Sequence, residues 1–84
     1  MAYRVDTPSA VEKEIRHLHP VLKRRVTEAI LALEDSPRPH GCKKLVDSDE
    51  WRIRVGDYRI IYDIDDRLKI VTILAVTNRS KAYD

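Results

Sequence analysis

The chain has 84 residues, with 16 Lys or Arg, 14 Asp or Glu, a formal charge of +2 and a single cysteine. That length accommodates one small domain, residues 1–84, without a second core; the near-balanced charge excludes a strong global field for nucleic acid, and one thiol excludes an internal disulfide or a cysteine-based zinc site. No run approaches the ~20 apolar residues of a membrane span, and Met1-Ala2-Tyr3-Arg4 lacks the apolar core of a signal peptide, so the expectation is a cytoplasmic protein in a reducing compartment without membrane contact.

Tyr3-Arg4-Val5-Asp6 alternates and predicts a short first strand. Thr7-Pro8 predicts a helix start, with Thr7 as cap and Pro8 in the first turn; Ser9 with Glu12 offers a competing capping box. Val11, Ile15 and Leu18 form one helical stripe, which His19-Pro20 ends. A second helix is expected over 20–34, with Leu22, Val26, Ile30 and Leu33 as its core stripe, Ala29 beside them, and Lys23, Arg24, Arg25 and Glu28 outward. Two amphipathic stripes with a short break predict a helical hairpin laid on a sheet. Ser36-Pro37-Arg38-Pro39-His40-Gly41 reads as a loop.

From Cys42 the pattern becomes β. One strand is expected over 42–46, then a polar turn at Asp47-Ser48-Asp49, a hairpin with strands near 50–55 and 58–64, and a turn at Asp65-Asp66-Arg67. Leu68 to Thr77 is the most apolar strand. Strict alternation puts Ile70, Leu74 and Val76 on one face and Val71, Ile73 and Ala75 on the other, which predicts a central strand covered in part on both sides. The tail over 78–84 is too short for a stable helix alone. The expected class is α+β in the order β-α-α-β-β-β-β: a small antiparallel-rich sheet, the N-terminal helical hairpin on one face, the opposite face partly open.

The hairpin carries the functional signal. Gly56-Asp57 suits a primed two-residue turn, which pairs Val55 with Tyr58, Arg54 with Arg59, Ile53 with Ile60 and Arg52 with Ile61. Trp51, Ile53 and Val55 then share one face, and Arg52, Arg54 and Arg59 the other. Directly opposed like charges are destabilising, on the order of 0.2–1 kcal/mol, so the arrangement points to an anion. Arginine suits phosphate because its planar fork donates bidentate hydrogen bonds and stays charged. Split at Cys42, the chain has seven basic and six acidic residues before it and nine and eight after it, so only local placement can make such a site. An ordinary solvent-facing strand, its arginine stems laid over apolar surface, accounts for the same residues.

Other chemistries find no support. There is no Gly-rich phosphate loop, no Cys/His cluster and no Gly-x-Ser-x-Gly elbow. Asp47, Asp49 and Glu50, like Asp63, Asp65 and Asp66, read as solvated turn carboxylates rather than metal ligands. His17, His19 and His40 lie away from the hairpin, and Cys42 reads as a small buried residue at a strand start. Arg79 and Tyr83, beyond the last strand, can join the arginines: the first as a further phosphate ligand, the second to pass a proton or stack on a base.

The stretch Glu50-Trp-Arg-Ile-Arg-Val-Gly-Asp-Tyr-Arg-Ile-Ile-Tyr-Asp-Ile-Asp-Asp resembles the signature hairpin of RelE toxins, in the RelE/ParE superfamily of toxin–antitoxin systems. The resemblance extends to the Tyr-Arg-Val opening strand, the helical hairpin, the Ser-Pro-Arg-Pro loop, the Lys-Lys-Leu strand and a closing Val-x-x-Arg-x-x-x-Tyr. It implies a ribosome-dependent mRNA endonuclease that acts in the A site through the codon's own 2′-hydroxyl, without metal or other cofactor. Its implied partners are a RelB-like antitoxin, the ribosome with its RNA, and mRNA. By position, Arg52, Arg54, Arg59, Arg79 and Tyr83 take the catalytic places, and Lys43, Lys44, Arg52, Arg54 and Lys81 the RNA-binding ones.

Two departures stand out. The first-strand positions are lysine in some relatives, and arginine is a much poorer base. The common Gly-His-Arg near the end reads Thr77-Asn78-Arg79, without the glycine or the histidine. Two rival readings remain at this stage: a ParE-like toxin that inhibits DNA gyrase by binding, and a non-catalytic basic interaction module. Placement of Arg59 on an open face predicts that Arg59→Ala lowers cleavage while leaving a cooperative melt intact.

Overall fold

The computed structural model describes residues 2–78. The elements follow the expected order: β1 (Arg4–Asp6), α1 (Ser9–Arg16), α2 (Pro20–Ala32), β2 (Lys43–Lys44), β3 (Trp51–Val55), β4 (Tyr58–Asp65) and β5 (Ile70–Asn78). The strands form one sheet in the order β1-β5-β4-β3-β2. Only β1 runs parallel to its neighbour, β5; the other three pairings are antiparallel, so the sheet is mixed. Both edges are short strands, three and two residues, which limits the unpaired backbone they offer.

The helix stripes do what their spacing predicts. Val11 of α1 and Val26, Ile30 and the cap residue Leu33 of α2 are buried against Ile53, Val55, Ile60, Tyr62, Val71, Ile73 and Val76 of the sheet. The helix ends differ from the expectation. Pro8 is the residue before α1, extended at ψ 152°, and no side chain caps the helix. Its carbonyl takes the Val11 and Glu12 N–H groups, so Thr7 lies too far out to cap and Ser9 is already helical. At α2, His19 is the cap: its Nδ1 accepts from the Val21 N–H at 3.3 Å, with Pro20 in the first turn where its missing N–H costs nothing. The helix ends two residues early, its last turn tightened by i to i+3 bonds from Leu33, Glu34 and Asp35.

The β region also departs from strict alternation. β2 is cut to two residues, since Asp47 at φ 56° turns the chain. β5 begins at Ile70 because Leu68 and Lys69, the latter at φ 60°, belong to the turn. A register shift on β5 between the partners of Ile61 and Tyr62, which face Ala75 and Ile73, leaves Leu74 as an extra residue. The bulge switches parity, so Val71, Ile73 and Val76 all reach the core, where alternation puts Val76 on the opposite face from the other two.

Asp66 is more than a solvated turn carboxylate. Arg38 of the Pro-rich loop donates to both its oxygens, at 3.2 and 2.8 Å, and the Tyr3 hydroxyl donates to Oδ1 at 2.7 Å. Arg38 also lies over the Trp51 ring, 5.0 Å from its centroid, and Lys69 over the Tyr3 ring at 5.0 Å. A few side chains thus tie the 36–41 loop to β1, β3 and the β4–β5 turn. Below them the buried Tyr62 donates its hydroxyl to the Pro37 carbonyl at 2.8 Å; burial pushes its pKa upward. Hydrogen bonds from Arg38, then from Tyr3, lower the Asp66 pKa from 3.8 to about 2. A carboxyl depressed in the folded state stabilises above its unfolded pKa, and that contribution disappears as pH falls through the folded value. Asp66→Asn should therefore melt below wild type at pH 7, with the gap closing between about pH 4 and pH 2, read by thermal denaturation across pH.

Candidate nucleic-acid interface

The two-residue turn sets the site. Gly56 takes φ +59°, and Asp57 is not among the positive-φ residues, the pattern of a II′ turn with glycine in its first central place. A Cβ at this position would lie 3.6 Å from Arg25 Nη1 and 3.8 Å from Leu22 Cδ1, which are ordinary contacts. Backbone conformation, not space, requires the glycine.

The register that follows is the predicted one: Val55 with Tyr58, Arg54 with Arg59, Ile53 with Ile60 and Arg52 with Ile61. Extended through β5 and β2, it lays the face opposite the helices out in transverse rows. Nearest the turn is Arg54, Arg59 and Thr77; next comes Lys43, Arg52, Ile61 and Ala75. Beyond these, Asp63 pairs with Thr72, which pairs with Asp6, and Asp65 pairs with Ile70. The face is therefore basic at the hairpin turn and mainly acidic at the far end, where Asp6, Asp49, Asp63 and Asp65 line a groove of about 670 Å³ with Arg67, and Arg4, in the row of Asp65 and Ile70, bonds Asp6 at 3.1 Å. An RNA backbone on this face is attracted to one half and repelled from the other.

Burial corrects one expectation. Arg54 is exposed, but Arg59 is 3% exposed and Arg52 7%, so neither lies on an open surface. Arg59 sits on the central strand β4, flanked by Arg54 and Thr77, where its long stem has neighbours on both sides. All three arginines are engaged in interactions within the protein. Lys43 stands beside Arg52, whereas Lys44 pairs with Trp51 on the other face of the pleat and its Nζ lies 3.9 Å from Asp49 Oδ1. Arg79, Lys81 and Tyr83 lie outside the described residues. Among the described residues, no three His, Cys, Asp or Glu side chains gather as a metal site, and no helix is long and apolar enough to cross a membrane. Thr77 was not singled out from the sequence; the bulge at Leu74 hides its alignment with Arg59 from simple counting.

Comparison with known proteins follows the same lines. The model of a family described as the ParE toxin of a type II toxin-antitoxin system, parDE, matches residues 4–83. A Methanocaldococcus jannaschii protein named as toxin RelE1 is 33% identical over 89 residues, covering 99% of this chain and 97% of its own. The structure is similar to that of the archaeal RelE–RelB complex of Pyrococcus horikoshii, with TM-score 0.86, 34% identity and coverage of 98% of this chain and 100% of the other. It is also similar to the RelBE2 toxin–antitoxin complex of Mycobacterium tuberculosis, with TM-score 0.82, 28% identity and coverage of 94% and 100%.

Burial separates the two opposed arginines in their contribution to stability. Arg54→Ala, at an exposed position, should change unfolding free energy by less than about 0.5 kcal/mol. Arg59→Ala opens a gap in the middle of the sheet face and removes a buried charge from its partners, and should cost about 1–3 kcal/mol in urea denaturation.

Proposed function

The chain belongs to the RelE/ParE superfamily of toxins of type II toxin–antitoxin systems and is RelE-like, and on that premise we propose that it is a ribosome-dependent mRNA endonuclease. The observation that carries this reading is the register that sets Arg54 opposite Arg59 with Arg52 and Lys43 in the next row. A tolerated cluster of cations on one end of a sheet face fits a phosphodiester, and the acidic far end restricts the RNA to the hairpin half.

In the proposed reaction the 2′-hydroxyl of the codon loses its proton and attacks the adjacent phosphorus. The P–O5′ bond breaks, the leaving O5′ gains a proton, and the products are a 2′,3′-cyclic phosphate and a 5′-hydroxyl. Charge builds on the non-bridging oxygens in the transition state, and fixed guanidinium groups stabilise it. Arg59 and Arg79 act on that charge; Arg52 and Arg54, with Lys43 and Lys81, hold the backbone and orient the nucleophile, while Lys44, on the other face of the pleat, takes no part. Arginine is too weak an acid to serve as base, so Tyr83 or ribosomal RNA handles the proton. The partner that silences the toxin is a RelB-type antitoxin, as in the complexes of the similar proteins.

The match to a ParE family model favours a second reading, inhibition of DNA gyrase by binding. A supercoiling assay with purified protein separates the two, since the endonuclease leaves supercoiling untouched. For the leading reading, primer extension on translated mRNA after induction should show cuts at A-site codons. Arg54→Ala should reduce them by about 100-fold without lowering the melting temperature, the loss expected when a group that positions the reacting backbone is removed. Full growth arrest without such cuts would overturn the proposal.

A further inference from the structure

Thr77 completes the row that begins with Arg54 and Arg59. It is the direct cross-strand partner of Arg59, so its side chain emerges on the same face of the sheet, next to the guanidinium-bearing stem. Its Oγ1 is buried and, among the described residues, makes no hydrogen bond. A buried hydroxyl without a partner is a net cost to folding, and valine would fill the strand position with equal β propensity and no such cost. Most of β5 is apolar: Ile70, Val71, Ile73, Leu74, Ala75 and Val76, with Thr72 and Asn78 as its other polar residues. A buried hydroxyl without a hydrogen bond, in the same row as two arginines, calls for a ligand that supplies its missing partner.

We propose that the Thr77 hydroxyl is a neutral phosphate donor that completes the Arg54–Arg59 row, a positioning group that neither family pattern nor arginine placement assigns. A hydroxyl rotates to suit its acceptor, so Thr77 can donate to a non-bridging oxygen of a phosphate seated in the row while Arg54 and Arg59 neutralise its charge. In the free protein the atom is closed to solvent; a phosphate entering from the exposed Arg54 side gives it an acceptor. This inference rests on the reading of the row as an RNA site, and it adds a neutral donor at its β5 end. Because the hydroxyl is uncharged, it contributes affinity without releasing a counterion.

The test uses the full chain and ribosomes programmed with an mRNA whose A-site codon carries 2′-O-methyl groups, which is bound but cannot be cut. Thr77→Val should weaken binding about tenfold, one lost hydrogen bond to a charged group, while leaving the slope of log affinity against log salt unchanged. Its melting temperature should equal or exceed that of wild type, and Thr77→Ser should bind within about twofold of wild type. Undiminished affinity in Thr77→Val overturns the inference. So does a loss accompanied by a changed salt slope, or by a lowered melting temperature that serine does not restore, because either means that the arginines have been displaced. Binding by wild type with no effect of Thr77→Val sinks this inference alone. Absence of wild-type binding to the programmed ribosomes sinks the RNA reading of the row along with it.

Discussion

A two-residue turn at Gly56-Asp57 governs what this sheet can present. With the turn fixed at two residues, each side chain of β3 has one partner on β4, and the parity of both strands follows. A slip of one residue would send Ile53, Val55, Ile60 and Tyr62 to the outer face and drive the arginines into the core. The hydrophobic burial of those residues against Val26, Ile30 and Leu33 therefore enforces the same register that opposes Arg54 to Arg59. Core and site are two faces of one constraint, and the cation cluster is held by apolar packing that it does not touch.

That coupling explains how an 84-residue chain with a formal charge of only +2 can concentrate positive charge. The sheet separates its charges along the strands rather than between its faces. Carboxylates on β1 and the far half of β4 occupy the outer face but stand several residues from the turn, beyond direct pairing with Arg54 and Arg59. The far end is further organised by Asp66, which lines the same groove and whose bonds to Arg38 and Tyr3 tie loop and turn together. The result is a cationic half of the sheet face bounded by a mainly acidic one.

Much of this was legible in the sequence, for identifiable reasons. Helix stripes at i, i+4 and i+7 and a glycine in a two-residue turn are local signals, and they placed α1, α2 and the β3–β4 hairpin in correct order and register. Non-local features were not legible. The parallel β1–β5 pairing, the bulge at Leu74 and the Arg38–Asp66 bond each join segments far apart in the chain, and no local pattern encodes them. Burial of Arg59 was missed because alternation assigns a face, not an accessibility; its central strand has a neighbour on each side. Thr77 was missed for a related reason, since its alignment depends on where the bulge falls.

In the proposed complex the arginine end of this sheet face, and no other surface, meets the RNA backbone. A cryo-electron-microscopy structure of the protein on ribosomes programmed with a 2′-O-methyl codon in the A site measures this directly. The account predicts guanidinium nitrogens of Arg54 and Arg59 within hydrogen-bonding distance, about 2.7–3.2 Å, of oxygens on one mRNA phosphate. A bound toxin whose helices α1 and α2, or whose acidic end, faces the codon while the arginine row points away would contradict it.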